Sequence, residues 1–270
     1  MQRLRPTPLF GERALWLPAA KALVVGDVHI GLESEFRAKG LTVMSQTEKM
    51  RQRLLHLVDS TGAERLIVIG DLKHRIPVSS YQERQELPHF FAGLGVRVEL
   101  VPGNHDVDFA DHIRIDIHPA EGIRVGDVGL LHGHTWPAPE VMAAQTIVTC
   151  HNHPAVMLVD ELGARHKEPA WVRAAFTEAA KSRYPDVRQD ARLIVMPAFH
   201  ELTGGTAFNA PEGGRLLGPL FSHGFVDVEG AEVFTLDGVG LGSVAALRKR
   251  GVDRSGRQKG SRWRRRPAAD

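Results

Sequence analysis

With 270 residues, 43% of them hydrophobic and 24% charged, the chain can bury a substantial core and is too apolar for a disordered polypeptide. Its one cysteine, Cys150, excludes an internal disulfide, no apolar run is long enough to span a bilayer, and Gly11-Glu12-Arg13 breaks up any signal-peptide core, so a cytoplasmic protein is expected. The net charge of +2 is uneven, because residues 248–270 hold ten Lys/Arg against two Asp, a net +8 that leaves the other 247 residues at −6.

Along the chain, Ala22-Leu23-Val24-Val25 is a short, wholly apolar run that reads as a strand buried on both faces. Gly26-Asp27-Val28-His29 follows it directly. A helix is predicted next: Ser45 and Glu48 match a capping box, and Met50, Leu54, Leu57 and Val58 form an apolar stripe that ends at Gly62. Leu66 to Ile69 is a second buried strand, followed by Gly70-Asp71-Leu72-Lys73-His74. A weaker helix runs from about Tyr81 to Gly93, interrupted by Pro88. Val96, Val98 and Leu100 alternate as a third strand ahead of Gly103-Asn104-His105-Asp106.

Val128 to Leu131 and Thr146 to Thr149 are further strands. The first leads into His132-Gly133-His134, the second into Cys150-His151-Asn152-His153. The segment from Ala155 to Phe176 reads as a hairpin, on the alternation in Val156-Met157-Leu158-Val159, with a helix after Pro169 as the competing reading. Tyr184 to Asp190 reads as a surface loop, Leu193 to Met196 as a buried strand, and Phe225 to Leu236 as short strands. The β-α-β alternation predicts one α/β domain with a mainly parallel core over residues 1–247. Residues 248–270, without hydrophobic period, are expected to be a basic, disordered tail.

Ligand sites in open α/β sheets form beyond the carboxyl ends of the strands, and five clusters of metal-ligating side chains lie at such ends. Asp27 and His29 are two residues apart and project to the same side of an extended segment. Asp71 has two carboxylate oxygens and can bridge two cations, Asn104 offers a carbonyl oxygen, and His132, His151 and His153 offer imidazole nitrogens. Oxygen and nitrogen donors without thiolates suit manganese, iron or zinc and argue against calcium. Two such cations lower the pKa of a bridging water and clamp the phosphoryl oxygens of a substrate. His105 can then protonate the departing oxygen near neutral pH. Asp106 can orient His105 or cap the following turn.

These motifs, in this order, resemble those of the calcineurin-like metallophosphoesterases, from roughly Leu23 to Pro154. Gly70–His74, the His151–Ala155 ending and Met196–Gly205 are similar, more narrowly, to the SbcD-related archaeal phosphoesterases and to the bacterial phosphoesterases encoded beside DNA ligases. The resemblance implies a four-layer αββα sandwich of mixed sheets with a dinuclear site. Carried over motif by motif, Asp27, His29 and His153 would hold one metal and Asn104, His132 and His151 the other. Asp71 would bridge them, and His105 would be the general acid. Two positions depart from the family pattern: His74 stands where it usually has an acidic residue, and can replace a carboxylate that orients His105, while Cys150 stands where it usually has Gly.

The expected activity is hydrolysis of phosphodiester bonds in DNA or other nucleic acid by a metal-bridging hydroxide, with two divalent ions, manganese first and iron or zinc as alternatives. A small-molecule phosphatase or nucleotide phosphodiesterase with the same site is the second reading, and a non-catalytic binding protein that kept the fold the third. Arg262-Trp263-Arg264-Arg265-Arg266 sets an aromatic ring among cations, which suits nucleic-acid contact by the tail. Lys73 and His74 can contact phosphate or brace their loop. Cys150 reads as a small buried residue or as a redox-sensitive thiol, His134 as a partner of the ligands, and His200 as a loop or cleft residue.

Overall fold

A computed structural model of the protein describes residues 5–107, 115–160, 162–210 and 215–250. Its first sheet takes six strands in chain order: β1 (Thr7–Pro8), β2 (Leu15–Leu17), β3 (Ala22–Val25), β4 (Arg65–Ile69), β5 (Arg97–Val101) and β6 (Asp116–Ile117). From β3 to β6 the pairs are parallel, as the β-α-β alternation predicts, while β1 and β2 add antiparallel strands at one edge. The strands β7 (Ile123–Val125), β8 (Val128–Leu130) and β9 (Thr146–Thr149) begin the second half. After them come β10 (Pro154–Val159), β11 (Arg165–Pro169), β12 (Trp171–Ala175), β13 (Arg192–Val195), β14 (Thr206–Ala207), β15 (Glu232–Phe234) and β16 (Gly240–Ser243). Seven of these form a mixed sheet in the order β16-β15-β12-β13-β9-β8-β7, and β11-β10-β14 make a small third sheet.

Side-chain alternation shows why the apolar runs are continuous. Ala22, Val24, Ile67 and Ile69 face Leu130, Val148 and Met196 between the two large sheets. Leu23, Val25, Leu66 and Val68 point the other way, against α2 (Thr47–Thr61) and α3 (Tyr81–Phe91), through Met50, Leu54, Leu57, Val58, Leu87 and Phe90. On the far side, Ile147, Val172, Leu193 and Val195 pack beneath α4 (Pro139–Met142), α5 (Glu178–Arg183) and α6 (Pro219–Ser222). Helices, sheet, sheet, helices is the four-layer αββα order.

Several local expectations change. The helix α2 begins at Thr47 with Gln46 as its cap residue, and the Ser45/Glu48 capping box does not form. The Gln46 amide donates instead to the buried carboxylate of Glu33 (2.7 Å) on the short helix α1 (Leu32–Ala38), while Ser45 Oγ accepts from the Thr47 amide (3.2 Å). A capping box does open α3, between Ser80 and Glu83, and that helix runs through Pro88 to Phe91. The segment expected as a hairpin from Ala155 to Phe176 forms one only as far as Pro169, closed in register from Ala155↔Pro169 to Val159↔Arg165, and its remainder is β12 of the seven-stranded sheet. Residues 244–250 are helical, so regular structure crosses the expected start of the tail, and residues 251–270 lie outside the described residues. No helix among the described residues is long and apolar enough to cross a membrane.

Candidate metal centre

The five predicted clusters follow the carboxyl ends of β3, β4 and β5 in one sheet and of β8 and β9 in the other, and they converge where the two sheets meet. Backbone conformation turns the side chains inward. Among the described residues, six non-glycine residues have positive φ, and five of them are Asp27 (54°), His29 (46°), Asp71 (49°), His151 (50°) and His153 (42°). Such conformations cost about 1–3 kcal/mol each and persist only where the surroundings enforce them. Main-chain bonds supply that enforcement: the Asp27 amide donates to the Gly70 carbonyl (3.0 Å) and the His29 amide to that of Asp71 (2.8 Å). The His105 amide donates to Asp71 Oδ1 (2.9 Å). Gly70 and Gly103 are required by close approach, since a Cβ would overlap the ring of His132 at the first and the Asp71 carboxylate at the second.

The seven predicted ligands lie close together, six of them in two groups of donor atoms and Asn104 beside His132. In one, donor atoms of Asp27, His29 and His153 lie within 4.8 Å of one another; in the other, those of Asp71, His132 and His151 do. Asp71 Oδ2 stands 3.7 Å from His29 Nε2 and 3.5 Å from His132 Nε2, so one oxygen faces both groups. Asn104 Oδ1 is 3.1 Å from His132 Nε2, and His153 Nε2 is 3.3 Å from Asp27 Oδ1.

The electrostatics fit a cation. Both Asp27 oxygens are buried without a hydrogen-bond partner, an arrangement that costs several kcal/mol unless positive charge offsets it. Burial alone would raise Asp27, but the charge of His153, 3.3 Å away, with His132 and His29 behind it, holds it well below the usual carboxylate range. Burial, and then the neighbouring Asp27, push Asp71 up to about 8. Burial lowers His132 to about 3 and His151 to about 4, which leaves neutral imidazoles with free lone pairs. Burial would lower His153 as well, but Asp27 outweighs it and raises that ring to about 9. The protons on Asp71 and His153 are those a bound cation would displace.

Around these groups the roles separate. His105 Nδ1–H donates to the main-chain carbonyl of His74, so Nε2 turns towards the site, 3.9 Å from Asp71 Oδ2. Asp106, which with His105 and His74 is a sequence candidate for the chemistry, makes no hydrogen bond to the His105 ring. Its carboxylate accepts from the amides of Leu72 (2.9 Å), Lys73 (3.3 Å) and Gly103 (2.8 Å) and ties the two ligand-bearing loops together. The His74 ring stacks on His105 with centroids 5.4 Å apart. Lys73 is fully buried and braces its loop through the carbonyls of Arg75 (2.6 Å) and Pro77 (3.4 Å).

Cys150 is fully buried, its thiol donates to the Ile69 carbonyl (2.8 Å), and burial pushes its pKa well above the ordinary value, so it stays protonated beside the ligands. His134 lies against His132, ring centroids 5.2 Å apart, outside both groups. His200 is the loop residue of the two readings and not a residue of the cleft: it is fully buried and meets Glu33 at 3.3 Å.

One contributor escaped the sequence reading. His29 Nδ1 is 3.4 Å from His74 Nδ1, and His74 Nε2 is 2.8 Å from Glu35 Oε2. The proton assignment that satisfies every partner has His29 donate to His74 and His74 donate to Glu35, leaving His29 Nε2 free for a cation. Glu35 sits six residues beyond His29 on α1, a spacing that carries no signal until the helix folds back over the loop of His74.

The sequence profile of the calcineurin-like phosphoesterase family matches residues 20–196. Among solved structures, the chain is similar to the Pseudomonas putida nuclease MPE, at 20% identity and a TM-score of 0.54 over 86% of this chain and 96% of that one. It is also similar to the E. coli phosphoesterase Yfce, at 18% identity and a TM-score of 0.33 over 52% of this chain and 73% of the other. No curated protein matches the sequence.

Proposed function

The chain belongs to the calcineurin-like phosphoesterases, hydrolases of phosphoester bonds, and from that premise we propose that it cleaves phosphodiester bonds in DNA or another nucleic acid. The observation that carries the reading is the pair of donor groups joined at Asp71, with the free face of His105 beside them. Asp27, His29 and His153 would hold one divalent cation and Asn104, His132 and His151 the other, with Asp71 between; the neutral nitrogen and oxygen donors suit manganese first, then iron or zinc. Bound there, the two ions would supply an activated water and neutralise the phosphoryl oxygens.

The chain's own groups do the rest. Nδ1–H of His105 is committed to the His74 carbonyl, so the mobile proton is carried on Nε2, the nitrogen that faces the site. From there it passes to the leaving oxygen, which in a nucleic acid is a sugar alkoxide that departs poorly unprotonated. Asp106 keeps the loops of Asp71 and Asn104 in mutual register. A diester in nucleic acid is supported by the basic, tryptophan-containing run at residues 262–266 and by the nuclease named among the similar folds. The test is turnover of the Mn²⁺-loaded protein on single-stranded DNA, duplex DNA, cyclic nucleotides and monoesters. Cleavage of the polynucleotides above the others is expected, and turnover confined to monoesters or cyclic nucleotides would replace this substrate by a small molecule.

A further inference from the structure

An open cleft with about 410 Å³ of empty space adjoins the metal centre and shares His153 with it. The hairpin β10–β11 forms one wall. It starts at Pro154, the residue after His153, so the wall is covalently continuous with a ligand. Strand alternation then sorts its charges by face. Lys167 pairs with Met157 and Arg165 with Val159, on the side that also presents Ala155 and Pro169 to the cleft; His166 and Glu168 lie on the opposite side. The side chain of Lys167 reaches the Gly205 carbonyl (2.8 Å), one residue from the Gly204 carbonyl that accepts from His153 Nδ1 (2.9 Å), so its ammonium stands next to the ligand. Arg165 is exposed and lies roughly 7 Å further out along the strand.

The rest of the cleft is compatible with an anion. Arg13 stands on the facing wall, its guanidinium held by the carbonyls of Ala198 (3.2 Å) and His200 (3.0 Å). Glu201, the acidic residue of the lining, is already neutralised by Lys49 (2.5 Å) and Arg53 (3.5 Å). The hairpin is also a rigid support, since Asn209 clamps Met157 by accepting from its amide (2.8 Å) and donating to its carbonyl (2.9 Å).

We propose that this cleft is the subsite for the substrate strand beyond the scissile bond, with Lys167 and then Arg165 neutralising successive backbone phosphates. The inference rests on the nucleic-acid reading above and gives it a direction: the polynucleotide leaves the metal centre past His153 and runs out along β11. Phosphate contacts position a strand without reading its bases, so the subsite confers preference for a polyanion and not for a sequence.

The test compares the wild type with Arg165→Ala/Lys167→Ala and with Lys167→Arg. Both substituted side chains are exposed, so the fold is expected to tolerate them. With Mn²⁺, the double variant should raise KM for a single-stranded oligonucleotide about tenfold more than KM for bis-p-nitrophenyl phosphate, which has no flanking phosphate. For oligonucleotide binding by the metal-free protein, the slope of log affinity against log salt should shrink by about 1.4, two contacts at about 0.7 each. Lys167→Arg should keep most of both. Oligonucleotide KM and salt slope equal to wild type would overturn the subsite. Oligonucleotide binding with the expected loss of slope but no hydrolysis by any form would overturn the hydrolase reading and leave the subsite standing. Hydrolysis of bis-p-nitrophenyl phosphate without oligonucleotide binding would overturn the nucleic-acid substrate and the subsite together.

Discussion

The imidazole of His105 is held by the main-chain carbonyl of His74 and not by a side-chain carboxylate. That one bond fixes both the ring orientation and the tautomer, since a carbonyl accepts and never donates. The nitrogen left for chemistry is therefore Nε2.

The first prediction concerns leaving groups. His105→Ala should lower kcat by about 10²–10⁴ on an alkyl diester such as a dinucleotide. On bis-p-nitrophenyl phosphate, whose aryl oxide departs without a proton, the loss should be far smaller. Equal losses on both substrates would mean that His105 positions the phosphoryl group and does not protonate the leaving oxygen.

Metal affinity should depend on a residue outside the ligand set. Glu35→Gln removes the charge that terminates the His29–His74–Glu35 chain, and the cost of losing such a partner is about 10- to 100-fold in affinity. Because the Glu35 carboxylate is half-exposed, the lower end is expected. Mn²⁺ titration of the metal-free protein measures it, and an unchanged affinity would show that His74 alone orients His29.

A pH effect on stability follows from Glu33. Burial would raise this carboxylate, but the hydrogen bonds from His200 and the Gln46 amide hold it below the usual range. A depressed folded-state pKa adds stability that is fully present above the unfolded value of about 4.3 and is lost as pH falls through the lower, folded one. Glu33→Gln should thus cost about 1–3 kcal/mol at pH 7. The gap in Tm between wild type and variant should narrow below about pH 4. A gap that persists in acid would show that the carboxylate acts by shape and not by charge.

The candidate ligands were legible in the sequence for a local reason. Each sits two to four residues past a strand that an apolar run identifies, and both large sheets deliver their carboxyl ends to one place. Asp, Asn and His also tolerate the positive φ that aims them inward. What was not legible depends on contacts across the fold. Ser45-x-x-Glu48 and Ser80-x-x-Glu83 match the same capping pattern, yet only the second forms: at the first, the helix starts one residue later, Glu33 from another helix accepts from the Gln46 amide, and the Glu48 carboxylate is taken by Arg51, Gln52 and His89. Asp106 next to His105 suggested an orienting pair, but its carboxylate was claimed by three amides from two loops. His200 is the loop residue the sequence suggests, but its full burial depends on Glu33. In each case at least one deciding partner lies more than thirty residues away or on a different element.

The most direct test of the account is metal content and turnover measured on the same samples. Protein stripped with EDTA and reloaded should bind two Mn²⁺ per chain, releasing protons from Asp71 and His153 as it does so, and should regain hydrolysis of bis-p-nitrophenyl phosphate in step with loading. Asp71→Asn should lose both the second ion and the activity. Two tightly bound ions with no hydrolysis of any phosphodiester, or hydrolysis that survives complete metal removal, would contradict it.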